Sequence, residues 1–164
     1  MKASEKNSAL LIHRIGVLSD THGLLRPEVI NALKGVDQII HAGDLDTQEV
    51  LKALEKIAPV TAVKGNMDRG GWTRKLQKAE VVEVGNHLLY VLHNIHALDL
   101  DPEVAEIRVV IFGHSHMHSM ARRNGVLYLN PGGAGYRRFN YPISLAILSV
   151  YEDRIEPRII ELDV

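Results

Sequence analysis

A chain of 164 residues, 46% hydrophobic and 24% charged, has the make-up of an ordinary globular protein. It is long enough to bury about two-thirds of its unfolded surface in one domain. A formal net charge of -1, with acids and bases intermixed, leaves no electrostatic footprint for long nucleic acid or a membrane surface. Cysteine is absent, which excludes disulfide frameworks and thiolate zinc sites and leaves oxygen atoms and nine histidines as the available metal ligands.

The first residues, Met1 to Ser8, carry Lys2, Glu5 and Lys6, and the apolar run Ala9 to Ile12 is broken by His13 and Arg14. That run is too short for a signal peptide, so a flexible extension is expected over residues 1–13 and a single domain over 14–164. No stretch approaches the roughly 20 apolar residues of a membrane span, and a cytoplasmic location is expected. A strand over Ile15 to Leu18 precedes a helix that Arg26-Pro27 opens and Gly35 stops, with Val29, Ile30 and Leu33 at helical spacing. The next strand runs to Asp44, after which Asp46-Thr47 cap a helix bearing Val50, Leu51, Leu54 and Ile57, ended by Pro59. Strands alternating with helices predict a parallel sheet here.

Beyond residue 79 strands dominate. Gly85-Asn86, Asn124-Gly125 and Glu152-Asp153 each sit between apolar runs and predict three hairpins, with one short helical stretch near Pro102 to Glu106. The expected architecture is α/β: two β-sheets packed face to face, helices outside, and the functional loops along one edge.

Five apolar runs end in a residue able to hold a divalent metal. They lead to Asp20-Thr21-His22, Gly43-Asp44, Gly65-Asn66, His93, and Gly113-His114-Ser115-His116. Open α/β sheets carry their chemistry at the carboxyl ends of strands, so five such endings predict one site built from five loops. Asp44 has two oxygens able to bridge two cations, and Asn66 offers an uncharged amide oxygen. Seven ligands with one shared give two four-ligand sites with positions open for water and substrate. Mixed oxygen and nitrogen donors suit Mn²⁺, Fe, Ni or Zn²⁺ better than Mg²⁺ or Ca²⁺, and Mn²⁺ is the first expectation. Two ions roughly 3.5–4 Å apart activate a bridging water and stabilise both oxygens of an in-line displacement, which points to phosphoester hydrolysis.

The order D-x-H, GD, GN-x-D, H and GH-x-H resembles the calcineurin-like metallophosphoesterases, in particular their small single-domain prokaryotic phosphodiesterases, over roughly residues 14 to 160. Asn130-Pro131-Gly132 matches a further element of that pattern. The resemblance implies a four-layer α/β/β/α sandwich of two mixed sheets flanked by helices. It implies one metal on Asp20, His22, Asp44 and His116, and the other on Asp44, Asn66, His93 and His114. It also implies a metal-bridged hydroxide as the attacking group, with Asp44, Asn66 and His93 in the catalytic set.

Several positions depart from the pattern. Met67 stands where larger relatives carry a histidine as general acid, which leaves water, Asp68 or His96 as the expected source of the leaving-group proton. Asn94, His118 and Gly133 replace a frequent glycine, proline and serine. His41 is expected either to support a ligand or to pack in the core. His13 and His87 are expected in solvent, and Arg122-Arg123 and Arg137-Arg138 on a solvated face. Trp72 and Tyr136 are candidates to wall a pocket. The expected partner is a small phosphodiester, with a homodimer open and no long nucleic acid or membrane; the alternative is a non-catalytic protein-binding scaffold of the same fold.

Overall fold

The computed structural model describes residues 10–164. Its strands are β1 (Leu11–Leu18), β2 (Gln38–His41), β3 (Val60–Ala62), β4 (Ala79–Val84), β5 (His87–Leu92), β6 (Ile107–Ile111), β7 (Ser119–Arg123), β8 (Val126–Asn130), β9 (Ile143–Tyr151) and β10 (Ile155–Leu162). Helices α1 (Pro27–Ala32) and α2 (Gln48–Glu55) join the first three strands. One five-stranded sheet has the order β10-β9-β1-β2-β3 and the other β4-β5-β6-β8-β7, each mixing parallel and antiparallel pairs.

The sheets meet through an apolar layer that includes Ile15, Val17, Ile40, Leu89, Val91, Val109, Ile111, Leu127, Leu129, Ala146 and Leu148. Each fully buried Leu or Ile contributes about 1.5–3 kcal/mol. On the outer face of the first sheet, Leu18, Ile39, Leu145 and Ile147 pack against Val29 and Leu33 of the α1 segment and Val50 and Leu54 of α2. Gly16 makes the α1 approach possible, because a Cβ there would overlap the Leu33 side chain. Strands buried on both faces read as unbroken apolar runs, which is why β1, β2, β6 and β9 stand out in the sequence.

The two packed sheets and their three hairpins are as expected, and four details differ. Strand β1 begins at Leu11, where it pairs with Tyr151, so the expected extension over 1–13 does not include residues 11–13; residues 1–9 lie outside the described residues. Residues 102–106 form a turn rather than a helix. Asp101 Oδ1 accepts from the Glu103 and Val104 amides, and Glu106, at φ 60°, stops the turn before a second one forms. The outer layer on the second sheet is a 3-10 turn, Ile95–Ala97, with Leu98 and Leu100 packed on Tyr90, Leu92 and Val110, and no α-helix of the described residues lies there. Thr47 takes the N-cap position of α2 without a side-chain capping bond. No helix among the described residues is long and apolar enough to cross a membrane.

Strands β1, β2 and β3 run parallel to one another, as do β5, β6 and β8. The loops beyond their carboxyl ends meet along one rim of the sandwich. Backbone bonds tie the rim together: Asp20 N–H donates to Gly43 O, His22 N–H to Asp44 O, Gly113 N–H to His93 O, and Ala134 N–H crosses between the sheets to Ser19 O.

Candidate metal centre

All seven expected ligands lie on this rim, and the backbone that presents them is unusual. Asp20, His22, Asp44, His114 and His116 have φ between 47° and 75°, the left-handed region that non-glycine residues seldom adopt. A left-handed residue turns a side chain sharply back over the end of its own strand, and the surrounding loop bonds hold it there. Glycines give the room. A Cβ on Gly43 would come within 2.7 Å of His93 Nδ1, one on Gly113 within 2.7 Å of Asp20 Oδ2, and one on Gly65 within 2.8 Å of Asp44 Cγ.

Ligand atoms converge. Asp20 Oδ1 lies 3.7 Å from His22 Nε2, 3.5 Å from His116 Nε2 and 3.9 Å from His93 Nε2. Asp44 Oδ2 lies 3.8 Å from His22 Nε2 and 3.2 Å from His93 Nε2, between the two imidazoles. The His22 and His116 rings stack 7° from parallel with their Nε2 atoms 3.3 Å apart. Asn66 Oδ1 and His114 Nδ1 stand 3.2 Å apart on the exposed side, with the His114 ring edge-on to His93. Donors about 2.1 Å from a shared ion sit about 3.0–3.4 Å from one another, so these separations are close to those of a ligand set.

The surrounding hydrogen bonds aim each donor. Asp20 Oδ2 accepts from Ser19 Oγ and from the His114 amide, and Asp44 Oδ1 accepts from the Met67 amide, which leaves the other oxygen of each facing the cluster. A carbonyl can only accept, so His93 Nδ1–H donates to Ala42 O and its Nε2 carries a bare lone pair. His22 Nδ1–H donates to Asp46 Oδ2, with the same effect on its Nε2. Asp20 Oδ1 and His93 Nε2 are buried without a hydrogen-bond partner. Orphaned buried polar atoms are rare, and a divalent ion is a group these residues fit.

Charge follows the same geometry. Burial alone would raise Asp20 and Asp44, but the imidazoles of His22 and His93 beside them hold both carboxyls below the ordinary range. Contact with Asp20 raises His22; at His93 burial pulls the imidazole down and Asp44 and Asp20 more than offset it. Burial lowers His116.

His41 supports the cluster from beneath. Fully buried, it accepts the Gly43 amide at Nδ1, so its proton sits on Nε2, which donates to Thr21 Oγ1. One ring thus joins the loop of Asp20 and His22 to the loop of Asp44. Burial drives this imidazole down to about 3. A folded value below the ordinary 6.5 means that the neutral ring's contribution is complete above pH 6.5 and is lost as pH falls from there toward 3. Asparagine retains an acceptor near Nδ1 but does not titrate. Below pH 6, the stability advantage of wild type over His41→Asn is therefore expected to shrink by about 1.4 kcal/mol per pH unit. Urea melts of the metal-free proteins at several pH values check this, and parallel profiles would remove His41 as the cause.

The remaining candidates are placed as follows. Asp68 is buried beside the cluster, and both its oxygens are taken: Oδ2 by the Asp44 and Gly65 amides, Oδ1 by the Asp46 amide. Burial raises its carboxyl although the three amides oppose this. His96 is exposed in the turn after β5, and His118 pairs with Glu161 at 2.8 Å. His87 is buried rather than in solvent, donating to Tyr151 O from across the sheet interface, and His13 is half-buried against Gln38. Trp72 packs partly buried against the apolar cluster on the outer face of the first sheet, Tyr136 is exposed, and both arginine pairs are exposed. Asn130 donates to Gly113 O and Ser115 Oγ, bracing the loop of His114 and His116. Gly133 leaves space beside His116, where a Cβ would approach Nδ1 to 2.8 Å.

The sequence does not distinguish the supporting roles of Asp46 and Ser19, and marks Asn130 only as part of the family pattern. Asp46 reads as a helix cap, and its left-handed backbone, φ 68°, turns its carboxylate to His22 instead.

Residues 14–153 match the description of the calcineurin-like phosphoesterase superfamily domain. The chain is similar to a probable metallophosphoesterase of Methanocaldococcus jannaschii, 32% identical over 162 residues that cover 91% of this chain and 81% of that protein. Among solved structures it is similar to an archaeal phosphodiesterase, at 28% identity and a TM-score of 0.76 over 91% of this chain and 99% of that one. It also has the fold of vacuolar protein sorting 29 from Cryptosporidium parvum, at 16% identity and a TM-score of 0.75 over 94% of this chain and all of that one.

Proposed function

The chain belongs to the calcineurin-like phosphoesterase superfamily, and from that premise we propose that it hydrolyses small phosphodiesters with two divalent ions, manganese first among manganese, nickel, iron and zinc. The observation that carries this reading is the pair of buried, partnerless atoms, Asp20 Oδ1 and His93 Nε2, at the convergence of seven ligand-type side chains. When bound, such ions supply Lewis acidity toward a water molecule and toward phosphoryl oxygens. Asp20, His22, Asp44 and His116 would hold one, and Asp44, Asn66, His93 and His114 the other. Asp44, whose Oδ2 lies near both His22 and His93, would be the residue held in common. Asp46 and Ala42 O keep the imidazole lone pairs of His22 and His93 turned inward. Asn66 and His114, on the exposed side, border the space left for substrate. Met67 has no proton to give and both oxygens of Asp68 are engaged, so in this reading the leaving group takes its proton from water. We further propose a cytoplasmic location. A homodimer, if formed, has the open edge of β7, exposed along its length, as its pairing surface.

Metal-stripped protein titrated calorimetrically with Mn²⁺, Ni²⁺ and Zn²⁺ is expected to take up two ions per chain. It is then expected to hydrolyse bis-p-nitrophenyl phosphate in preference to p-nitrophenyl phosphate. Met67 in place of an acid favours a second reading, a binding scaffold that retains the ions. Two bound ions without turnover would select the scaffold, and a single ion would remove the dinuclear reading altogether.

A further inference from the structure

Between Gly133 and Pro142 the chain passes along the rim before entering β9, and the start of this loop is fastened to the loops that carry the ligands. Gly133 N–H donates to His116 O, Ala134 N–H to Ser19 O, and Arg26 Nε–H to Gly135 O. Gly135 lies so close to Thr21 that a Cβ would overlap its carbonyl oxygen. The base of the loop is therefore fixed against the segments bearing Asp20, His22 and His116. Its outer part is a tight turn in which Tyr141 N–H donates to Arg138 O at 2.8 Å. The two central residues, Phe139 and Asn140, have φ of 52° and 63°. Left-handed backbone at a bulky residue is costly and persists where the surroundings hold a loop to one shape.

Two arginines leave this loop side by side, and they are used differently. Arg137 is bonded at both terminal nitrogens, Nη1 to Tyr141 O and Nη2 to Val164 O. Arg138, the first residue of the turn, enters no ion pair and no side-chain hydrogen bond among the described residues. Its charge nevertheless reaches the centre. Burial is the main cause of the lowered His116 imidazole, against the pull of Asp20, and the Arg138 guanidinium adds to it. A cation held toward a cluster of donors that gathers cations is unfavourable by itself, because like charges repel. The placement becomes favourable when an anion stands between the two.

We propose that Arg138 holds the phosphoryl group of the substrate, donating to its non-bridging oxygens from the His116 side of the centre. The proposal rests on the hydrolytic reading above and adds to it a substrate-orienting residue outside the seven ligands. A guanidinium offers paired N–H groups to two oxygens of one phosphorus, so it fixes the rotation of that group as well as its position.

The test compares wild type with Arg138→Gln, Arg138→Lys and Arg137→Gln, and it reads two affinities that are expected to move in opposite directions. Metal-stripped Arg138→Gln titrated calorimetrically with Mn²⁺ is expected to bind the ion about twofold or more tightly than wild type, since a repelling charge is gone. Manganese-loaded Arg138→Gln is expected to bind inorganic phosphate about tenfold more weakly, the scale of one lost charge-assisted contact. Its kcat/KM for bis-p-nitrophenyl phosphate falls by about the same factor, with Arg138→Lys in between and Arg137→Gln unchanged. Thermal melts establish that each variant folds. A residue that only braced the loop would, when replaced, weaken manganese and phosphate binding together, and that result overturns the proposal. So does an unchanged phosphate affinity in Arg138→Gln, or no phosphate binding by wild type. Failure of the hydrolytic reading is a separate result: wild type without turnover on any ion would remove it, and the phosphate titration would still decide what Arg138 holds.

Discussion

Asp44→Asn is expected to lower kcat for bis-p-nitrophenyl phosphate by on the order of 10³-fold or more while the protein keeps its melting temperature. Two facts set this apart from an ordinary core substitution. Asp44 Oδ1 accepts the Met67 amide at 2.8 Å, and an asparagine oxygen can take over that bond without movement. The nitrogen of the new amide then replaces Oδ2, a donor now facing the lone pairs of His22 and His93 where an acceptor stood. The fold loses little, because the Met67 bond is kept and relief of the Asp20 repulsion offsets part of the lost attraction to His93. The centre loses the donor its two ligand groups share, and Lewis acidity of several kcal/mol goes with it, each 1.4 kcal/mol being tenfold in rate. Steady-state kinetics with calorimetric counting of bound Mn²⁺ is the check, and activity within tenfold of wild type would end the assignment.

Asp68→Ala should destabilise the metal-free fold by about 3 kcal/mol or more, and weaken metal binding at the same time. Three buried amides lose their acceptor together, each left unsatisfied at about 1–3 kcal/mol. For a chain of this size that corresponds to a fall in Tm of about 10 °C. The donors belong to Asp44, Asp46 and Gly65, so the side chain clamps the loop that offers Asp44 to the loop that offers Asn66. Asp68→Asn separates this clamp from a proton-donor role. Its single oxygen can still serve the Asp44 and Gly65 amides, but its nitrogen meets the Asp46 amide, so stability should fall part-way and metal affinity with it. A donor role would leave Tm and metal affinity intact and remove only the alkaline limb of the pH–rate profile.

What the sequence reveals about this molecule divides along a physical line. Strands buried on both faces carry apolar runs that nothing else explains, and the hairpins at Gly85-Asn86 and Asn124-Gly125 need the left-handed turn that these residues accept, so the sheets are legible. The rim is legible for the same reason, since each ligand-type residue comes directly after such a run. Partners distant in the chain are not. The burial of His87 depends on a carbonyl 64 residues away, and nothing near it in sequence distinguishes it from a solvated turn histidine. The early start of β1 is hidden because Leu11, although paired with Tyr151, and Ile12 are exposed, and His13 and Arg14 interrupt the apolar pattern. Asp46 and Asp68 show the limit most clearly. An aspartate that orients a histidine, one that gathers amides and one that caps a helix are the same letter, and only the tertiary arrangement assigns the work.

The left-handed backbone at Asp20, His22, Asp44, His114 and His116 bears on how this fold can change over evolutionary time. Each such residue costs about 1 kcal/mol or more relative to a relaxed loop, a cost that glycine does not incur. The protein is therefore least stable where its chemistry resides, and losing that chemistry is a downhill step. A lineage released from selection for turnover could replace these positions with glycine and relieve that backbone cost at each. The two-sheet frame would remain intact, and a family of such enzymes would be expected to shed inert descendants that keep its shape for other uses.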